Sequence, residues 1–359
     1  MANSNLGAAK KAQNDEFYTQ YHDIEKEMNS YLDFDANVFR GKTVLLPCDD
    51  PEWSNFTKYF AQNFDRLGLK KLISTSFAPD SKPAEIEYQP TLFETDDPTY
   101  DKTKTRTQGK IFILEKDQNG DGRTDVHDLK WHYLEGDGDF RSAEVSALRD
   151  EADLVVTNPP FSLFSQFVVW LTEASKDFVI LGNMNAITYR EVFPLIRDNK
   201  VWLGVTRTGV GFMWFEVVEN APDKTGQKIE NGKRYQTIGN SAWFTTLDHG
   251  RRHQPLALMS QQDNVRFSKH KEVRGVGYSK YDNYDALEVP WVDAIPSDFE
   301  GVMGVPISFL GKHNPHQFEI LGCSYDYGRP EIWHESTRMS PTVDGKNIYK
   351  RLFIRHKTS

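Results

Sequence analysis

Cysteine is nearly missing from this chain, with Cys48 and Cys323 the only two in 359 residues. Two cysteines form no disulfide framework and show no metal-ligand spacing, so a reducing cytoplasm is the expected setting. No run approaches the roughly 18 apolar residues of a membrane span, and the opening Met1-Ala2-Asn3-Ser4-Asn5 lacks a signal-peptide pattern. An excess of positive charge is also missing: 43 Lys and Arg stand against 52 Asp and Glu, for a net charge of −9. That balance argues against a protein that coats nucleic acid indiscriminately, because phosphate contacts dominate such affinity. No internal repeat or low-complexity block is present.

What charge there is lies segregated. Residues 85 to 101 hold six acids and no Lys or Arg, whereas 346 to 357 hold five bases and no acids. Residues 247 to 280 carry seven Lys or Arg against three acids. A local basic face on an acidic body fits this pattern, as does a merely solvated surface. The length suits one large α/β domain with a smaller one beside it. Residues 1 to 14, small and polar, read as a flexible arm.

The stretch that organises the rest is Ala152-Asp153-Leu154-Val155-Val156-Thr157-Asn158-Pro159-Pro160-Phe161-Ser162. Residues 152 to 157 predict a short buried strand with an acidic N-terminal edge. Asn158 precedes a proline and is biased toward extended backbone, and Pro159 and Pro160 offer carbonyls but no N–H groups. Ser162 is a candidate N-cap for a helix with apolar positions 163, 164, 167, 168 and 171. An amide side chain, a carbonyl and an aromatic face thus converge at a strand's carboxyl end. That set suits a nucleobase amino group: two acceptors hold its hydrogens, its lone pair turns toward an electrophile, and Phe161 stacks on the ring. A strand-to-turn corner with a core phenylalanine is the structural alternative.

Further strands are expected at Thr43–Leu46, Lys71–Ser76, Phe178–Leu181, Val201–Val205 and Ser241–Leu247, and a hairpin from 110–114 and 129–134. A helix with Tyr21, Ile24, Met28, Tyr31 and Leu32 on one face precedes the first strand, and another runs through Arg190 and Leu195. After the first strand, Asp50 and Pro51 supply an N-cap and an N1 proline to a helix burying Trp53, Phe56, Phe60, Phe64 and Leu67. The hairpin loop from Asp117 to Asp128 places Asp117, Asn119, Asp121, Asp125 and Asp128 near calcium-loop positions, with Gly122 at the sixth. Its β-like flanks and terminal Asp favour a solvated Asn-Gly/Asp-Gly turn instead. Arg251, Arg252, Lys350 and Arg351 are candidate phosphate contacts, the last two on a basic strand or sheet edge near the C-terminus.

Asn158-Pro159-Pro160-Phe161 resembles the catalytic motif of S-adenosylmethionine-dependent amino-methyltransferases that act on adenine N6. Motif order resembles the gamma arrangement, and the stretches Asp15–Tyr21, Cys48–Pro51 and Gly138–Ser142 are similar to the EcoRI-type adenine-specific DNA methyltransferase family. This resemblance implies a doubly wound, mostly parallel α/β sheet over 15–247, a 80–135 insertion, and a smaller α+β target-recognition region over 248–359. It implies that Asn158, Pro159, Pro160 and Phe161 are catalytic. Phe17, Tyr18, Thr19, Asp49, Asp50, Pro51, Asp139 and Phe140 would hold the cofactor, and Phe212 a flipped base. The three acids Asp49, Asp50 and Glu52 repel a phosphate and suit a sulfonium and an ammonium. The family's Gly-x-Gly is absent, since Glu52-Trp53-Ser54-Asn55-Phe56 stands in its place. Ser74 to Ser76 stand where an acid for the ribose is common. The implied partners are double-stranded DNA and a cognate restriction endonuclease, with a monomer that needs no metal for catalysis. The same motif also serves enzymes that methylate RNA bases or a protein glutamine, and a non-catalytic DNA- or calcium-binding protein on this scaffold is the remaining reading.

Overall fold

Thr43–Leu46 (β1) is buried along its whole length, as a continuous apolar run with strands on both sides must be. In the computed structural model, described over residues 19–48, 54–78, 98–117, 120, 122–124, 128–207, 213–217, 226–237, 240–324 and 340–357, β1 lies between two parallel neighbours. Lys71–Thr75 (β2) pairs with it from Thr43↔Lys71 to Leu46↔Ser74. Leu154–Thr157 (β5) pairs on the other side through Val44↔Leu154 and Leu45↔Val155. The acidic edge before β5 has a local use, for the Asp153 carboxylate accepts the Thr43 N–H at 2.8 Å.

The chain divides into two compact units, Met1–Asn183 with Thr206–Leu247, and Met184–Val205 with Asp248–Ser359. The sheet of the first runs β4-β3-β2-β1-β5-β6-β11-β7, where β3 is Lys110–Leu114, β4 Lys130–Tyr133, β6 Asp177–Asn183, β7 Trp202–Arg207 and β11 Ser241–Thr245. The boundary between the units falls inside β7. Strands β2, β1, β5 and β6 form a parallel block, while β3 joins β2, β4 joins β3 and β11 joins β6 antiparallel. The sheet is therefore mixed, not mostly parallel, and the 110–134 hairpin extends it at one edge. A three-stranded antiparallel sheet, ordered β8-β10-β9, is made by Trp214–Val217 (β8), Gln227–Glu230 (β9) and Lys233–Thr237 (β10).

Helix α1 (Tyr21–Phe34) buries Ile24, Met28 and Tyr31 on the expected face. Leu32 and Tyr21 sit at its half-buried margin. These side chains meet Phe56, Tyr59 and Phe60 of α2 (Asn55–Gln62), together with Phe39 and Trp243, in one core. Helix α2 starts later than Asp50 and Pro51 suggest. Its cap is Ser54, whose hydroxyl accepts the Phe56 N–H at 3.1 Å, and residues 49–53 lie outside the described residues. Phe64 and Leu67 are buried as expected, but on a separate turn closed by Gly68 at φ 64°. A helix that sequence reading did not identify, α3 (Ala143–Glu151), is capped by the Ser142 side chain, which accepts from Val145 N–H at 3.1 Å.

Ser162 does not cap the helix that follows β5. The Pro160 carbonyl accepts the Leu163 N–H at 2.9 Å, so Phe161–Leu163 winds as a 3₁₀ turn before α4 (Phe164–Glu173) begins. The helix expected through Arg190 is also interrupted. Met184–Thr188 is a 3₁₀ turn and the α-helix covers only Phe193–Arg197, because Pro194 is tolerated only in a first turn.

The second unit holds a four-stranded sheet ordered β12-β13-β17-β14, from Leu287–Glu288 (β12), Met303–Pro306 (β13), Phe318–Cys323 (β14) and Arg351–His356 (β17), and a two-stranded antiparallel pair of Thr342–Val343 (β15) and Lys346–Asn347 (β16). The basic tail strand β17 is a central strand, antiparallel to both neighbours, and so not a sheet edge. Also buried in this unit is His313, whose Nε2 donates to the Phe318 carbonyl at 3.1 Å. Burial pushes its imidazole down to about 4, against the pull of that carbonyl. A folded value below the unfolded one, about 6.5, gives stability that is present above pH 6.5 and lost as pH falls toward 4. The expected loss is roughly 3 kcal/mol across that window. Urea unfolding at pH 7 and pH 4.5 checks it, with His313→Gln flattening the difference.

Candidate active site

The parallel block fixes where the site stands. Strands β2, β1, β5 and β6 point the same way, so the turns after Leu46, Thr75, Thr157 and Asn183 share one rim of the sheet. Ligands of open α/β sheets bind at that rim. The corner Asn158-Pro159-Pro160-Phe161 leaves β5 there. Asn158 is half-buried with its side-chain oxygen shielded from solvent, Pro159 is buried, and Phe161 is half-buried against the main core. Gly182 keeps the corner in place: a Cβ there would lie 2.3 Å from the Phe164 ring, so only glycine lets α4 seat against β6.

Thr19 closes on the same end of the sheet. Its carbonyl accepts Nδ2 of Asn55, the first residue of α2, at 2.8 Å. Thr19 is 3% exposed, and its hydroxyl is buried with no hydrogen-bond partner among the described residues. A buried hydroxyl left open is costly unless a ligand completes it. Phe17, Tyr18, Asp49, Asp50 and Pro51 lie outside the described residues, as does Phe212.

Ser74, Thr75 and Ser76 are spent inside the protein. Ser74 Oγ lies 2.9 Å from Thr57 Oγ1, Thr75 donates to the Pro47 carbonyl at 3.0 Å, and Ser76 Oγ accepts the Lys110 N–H at 3.1 Å. Gly138 packs on this strand end with φ +85°, and a Cβ would fall 2.1 Å from the Ser76 carbonyl oxygen. Gly138→Ala is expected to cost about 3 kcal/mol or more in unfolding free energy, measurable by denaturant titration.

Asp139 and Phe140 follow directly. The Asp139 carboxylate receives Arg141 Nη2 at 2.5 Å and Nε at 2.9 Å, and Arg141 holds its carboxyl below the usual range. Phe140 is buried edge-on against Phe167, 4.9 Å away, and Trp170, 5.5 Å away, so its ring serves the face of α4.

The 117–128 loop is a turn where it is described. Asp117 accepts the Gly120 N–H at 2.6 Å and the Gly122 N–H at 2.8 Å, and both glycines have positive φ. Its carboxylate is committed to backbone amides, and Asp128 is buried. Asn119, Asp121 and Asp125 lie outside the described residues. Among the described residues no His, Cys, Asp or Glu group is assembled to hold a metal ion.

Two of the four candidate phosphate contacts are not at the surface. Arg252 is 7% exposed, lies 3.7 Å above the Trp202 ring, and bonds Asp248 and Asn199. Arg351 is buried on Glu288, 2.6 Å away. Arg251 donates to the Val205 carbonyl at 2.7 Å and is half-buried, and Lys350 donates to Thr188 Oγ1 at 2.9 Å. A charged residue beside an aromatic and a carboxylate in three dimensions buries its stem there, and sequence spacing carries no sign of it.

Glu27 was the residue sequence reading passed over. It is fully buried on α1, accepting the Thr206 N–H at 2.6 Å and the Tyr31 hydroxyl at 2.7 Å. Burial and the Glu27 charge push the Tyr31 phenol well above its ordinary value. The signal was available, because Glu27 stands among Ile24, Met28 and Tyr31 on the apolar face.

An Asn-Pro-Pro-Phe corner on the carboxyl rim of a large mixed sheet defines a methyltransferase-like α/β protein. Comparison with known proteins carries this further. The profile of the family described as "Adenine-specific methyltransferase EcoRI" matches residues 5–357. The chain is 39% identical over 357 residues to the Type II methyltransferase M.EcoRI of Escherichia coli, covering 99% of this chain and 97% of that one. It is 35% identical over 319 residues to the Type II methyltransferase M.MpnI of Mycoplasma pneumoniae, covering 88% and 84%. The Type II methyltransferase M.MgeORF184P of Mycoplasma genitalium is 35% identical over 320 residues, again covering 88% and 84%. No solved structure gives a significant match. The chain belongs to the EcoRI-type family of adenine-specific DNA methyltransferases, and it is an enzyme. No described helix is long and apolar enough to cross a membrane.

Proposed function

We propose that this enzyme methylates N6 of an adenine flipped out of duplex DNA, at a specific site, with the corner after β5 as its catalytic element. The observation that carries the reading is the position of Asn158: a half-buried amide at the carboxyl end of β5, on the rim it shares with the turn after β1. The Asn158 side-chain oxygen and the Pro159 carbonyl accept the two amino hydrogens of the base. Both are neutral acceptors and poor bases, so their work is to hold the nitrogen with its lone pair directed at the electrophile. Phe161 stacks on the base, and Pro160 fixes the turn that aims it. A base inside the stack is out of reach, and flipping costs a few kcal/mol.

S-adenosylmethionine, when bound, supplies a methyl group made electrophilic by a sulfonium. The described residues fit it at one point, where the open Thr19 hydroxyl meets the start of α2. Phe17, Tyr18, Asp49, Asp50 and Pro51 would complete that pocket, with acids facing a doubly cationic ligand. Asp139 and Phe140 would stand near its adenine through the backbone, given that both side chains are engaged elsewhere. The strand order, with antiparallel β11 beside β6, supports a doubly wound methyltransferase sheet. Residues 248–359 would form the target-recognition region, with Arg251 and Lys350 as the remaining phosphate candidates. A monomer acting in the cytoplasm, with an endonuclease that cuts the same site, follows the same reading.

The test is transfer of labelled methyl from S-adenosylmethionine to duplex DNA, followed by digestion to nucleosides. Label in N6-methyladenine is the expected result. Label in cytosine, or only in RNA or protein acceptors, overturns the proposal. Phe161→Ala is expected to raise the KM for DNA roughly 10- to 100-fold through lost stacking, as steady-state kinetics would show.

A further inference from the structure

The second unit carries a surface that methyl transfer itself does not use. Helix α5 (Gln261–Phe267) is capped by Ser260, which accepts the Asp263 N–H at 3.1 Å. Asn264 anchors it, fully buried, with Nδ2 donating to the Met259 carbonyl at 3.3 Å. Its other face presents Gln262 and Arg266, one turn apart and exposed. Neither side chain has a hydrogen-bonding or ionic partner among the described residues. Both border an open hollow of about 360 Å³, whose other walls include Val265 and Tyr278.

Apolar side chains stand out in water beside them. Phe267 is 69% exposed and Val276 75% exposed. Trp291, 43% exposed, stacks on His270 at 4.3 Å. Exposed large apolar side chains on stretches adjoining the hollow are the kind that mark an interaction surface. The charge of the stretch favours an anion: residues 261 to 280 hold five Lys or Arg against two acids on a chain of net −9, with Lys269 paired to Asp293 at 2.7 Å and Asp298 accepting the Gln261 N–H at 2.8 Å. Of the two acids, Asp263 is tied to Ser260 and Glu272 accepts from Trp291 Nε1 at 3.3 Å. Lys271 and Arg274 are exposed on the same stretch.

We infer that this face reads the DNA sequence. Gln262 and Arg266 hydrogen-bond base edges in the major groove, Phe267 and Val276 make apolar contacts there, and Lys271 and Arg274 hold backbone phosphates. An amide matches the N6/N7 edge of adenine and a guanidinium the O6/N7 edge of guanine, while apolar groups match the thymine methyl. The division of labour follows from chemistry, since phosphate contacts position and base contacts specify. The inference rests on the methyl-transfer reading above.

It is tested by methylating duplexes with randomised positions around the target adenine, using the full-length enzyme, and mapping every N6-methyladenine. Gln262→Ala and Arg266→Ala are each expected to raise methylation at singly altered sites about tenfold relative to the preferred site. Arg266→Lys, which keeps the charge and loses the fork, should relax the same position. Lys271→Ala and Arg274→Ala should instead weaken DNA binding evenly across sequences, each lowering the salt slope by about 1. Unchanged site preference in the Gln262 and Arg266 variants, with cofactor binding intact, overturns the assignment. A uniform loss over all sites with a smaller salt slope overturns it too, by making both residues phosphate contacts. If the unaltered enzyme methylates no adenine, the reading beneath this one fails first.

Discussion

Asn158→Ala is expected to lower kcat for DNA methylation by about three orders of magnitude or more, while cofactor affinity stays within a few-fold. The size follows from what the side chain is asked to do. Removing one preorganised polar group from a reacting centre costs about 10²–10³ in rate. Loss of the Asn158 oxygen also frees the amino group to rotate, so its lone pair returns to the ring and alignment is lost as well. The variant has no reason to unfold, since the strand before it is held by β1 and β6 and the prolines after it are unchanged. Asn158→Asp keeps an acceptor oxygen at this position but replaces the amide NH2 and brings a charge to a half-buried position, and should fall between the two. Single-turnover methylation with pre-bound DNA separates chemistry from binding. A near-normal rate in Asn158→Ala would remove the corner from the mechanism.

The parts of this molecule that were legible in sequence are those decided locally. Thr43–Leu46 and the apolar run before Asn158 are continuous β-branched and leucine stretches of the kind that only central parallel strands require, and both fall where expected. The 110–114 and 130–133 pair was visible from two strand-like runs on either side of an Asn-Gly/Asp-Gly turn. Capping was less legible, because several residues near a helix start can serve. Ser54 caps α2 in place of Asp50, and the Pro160 carbonyl draws Ser162 into a 3₁₀ turn. Least legible was the fate of charged side chains. Glu27 is buried because a strand N–H and a tyrosine hydroxyl, 179 and 4 residues away, both need an acceptor. Arg252 and Arg351 looked like surface bases because their partners lie on other elements. Nothing in the composition of Met184–Val205 shows that it packs with the later unit.

Arg351→Ala is expected to destabilise the second unit by roughly 3–5 kcal/mol, the usual cost of breaking a buried ion pair from one side. Its guanidinium reaches Glu288 through Nη2 at 2.6 Å and Nε at 3.1 Å, and Nη1 donates to the Tyr349 carbonyl at 3.0 Å. Both partners' side chains are about 10% exposed, so solvent screens the pair little. Tyr281 donates its hydroxyl to the same carboxylate. Burial pushes the Glu288 carboxyl up from its ordinary value, and Arg351 is the group that opposes this. Without Arg351 the rise goes further, and the folded state then holds a proton at pH values where the unfolded chain has released it. A raised carboxyl stabilises the folded state most at low pH, so the deficit of Arg351→Ala should be largest at neutral pH and shrink as pH falls toward 4. Glu288→Leu combined with Arg351→Met should recover much of the loss, since an apolar pair of similar volume leaves no charge buried. The salt dependence of DNA binding should be unchanged in that double variant, which removes the Arg351 charge without leaving Glu288 buried and unpaired. A drop of about one in that slope would instead return Arg351 to the phosphate backbone.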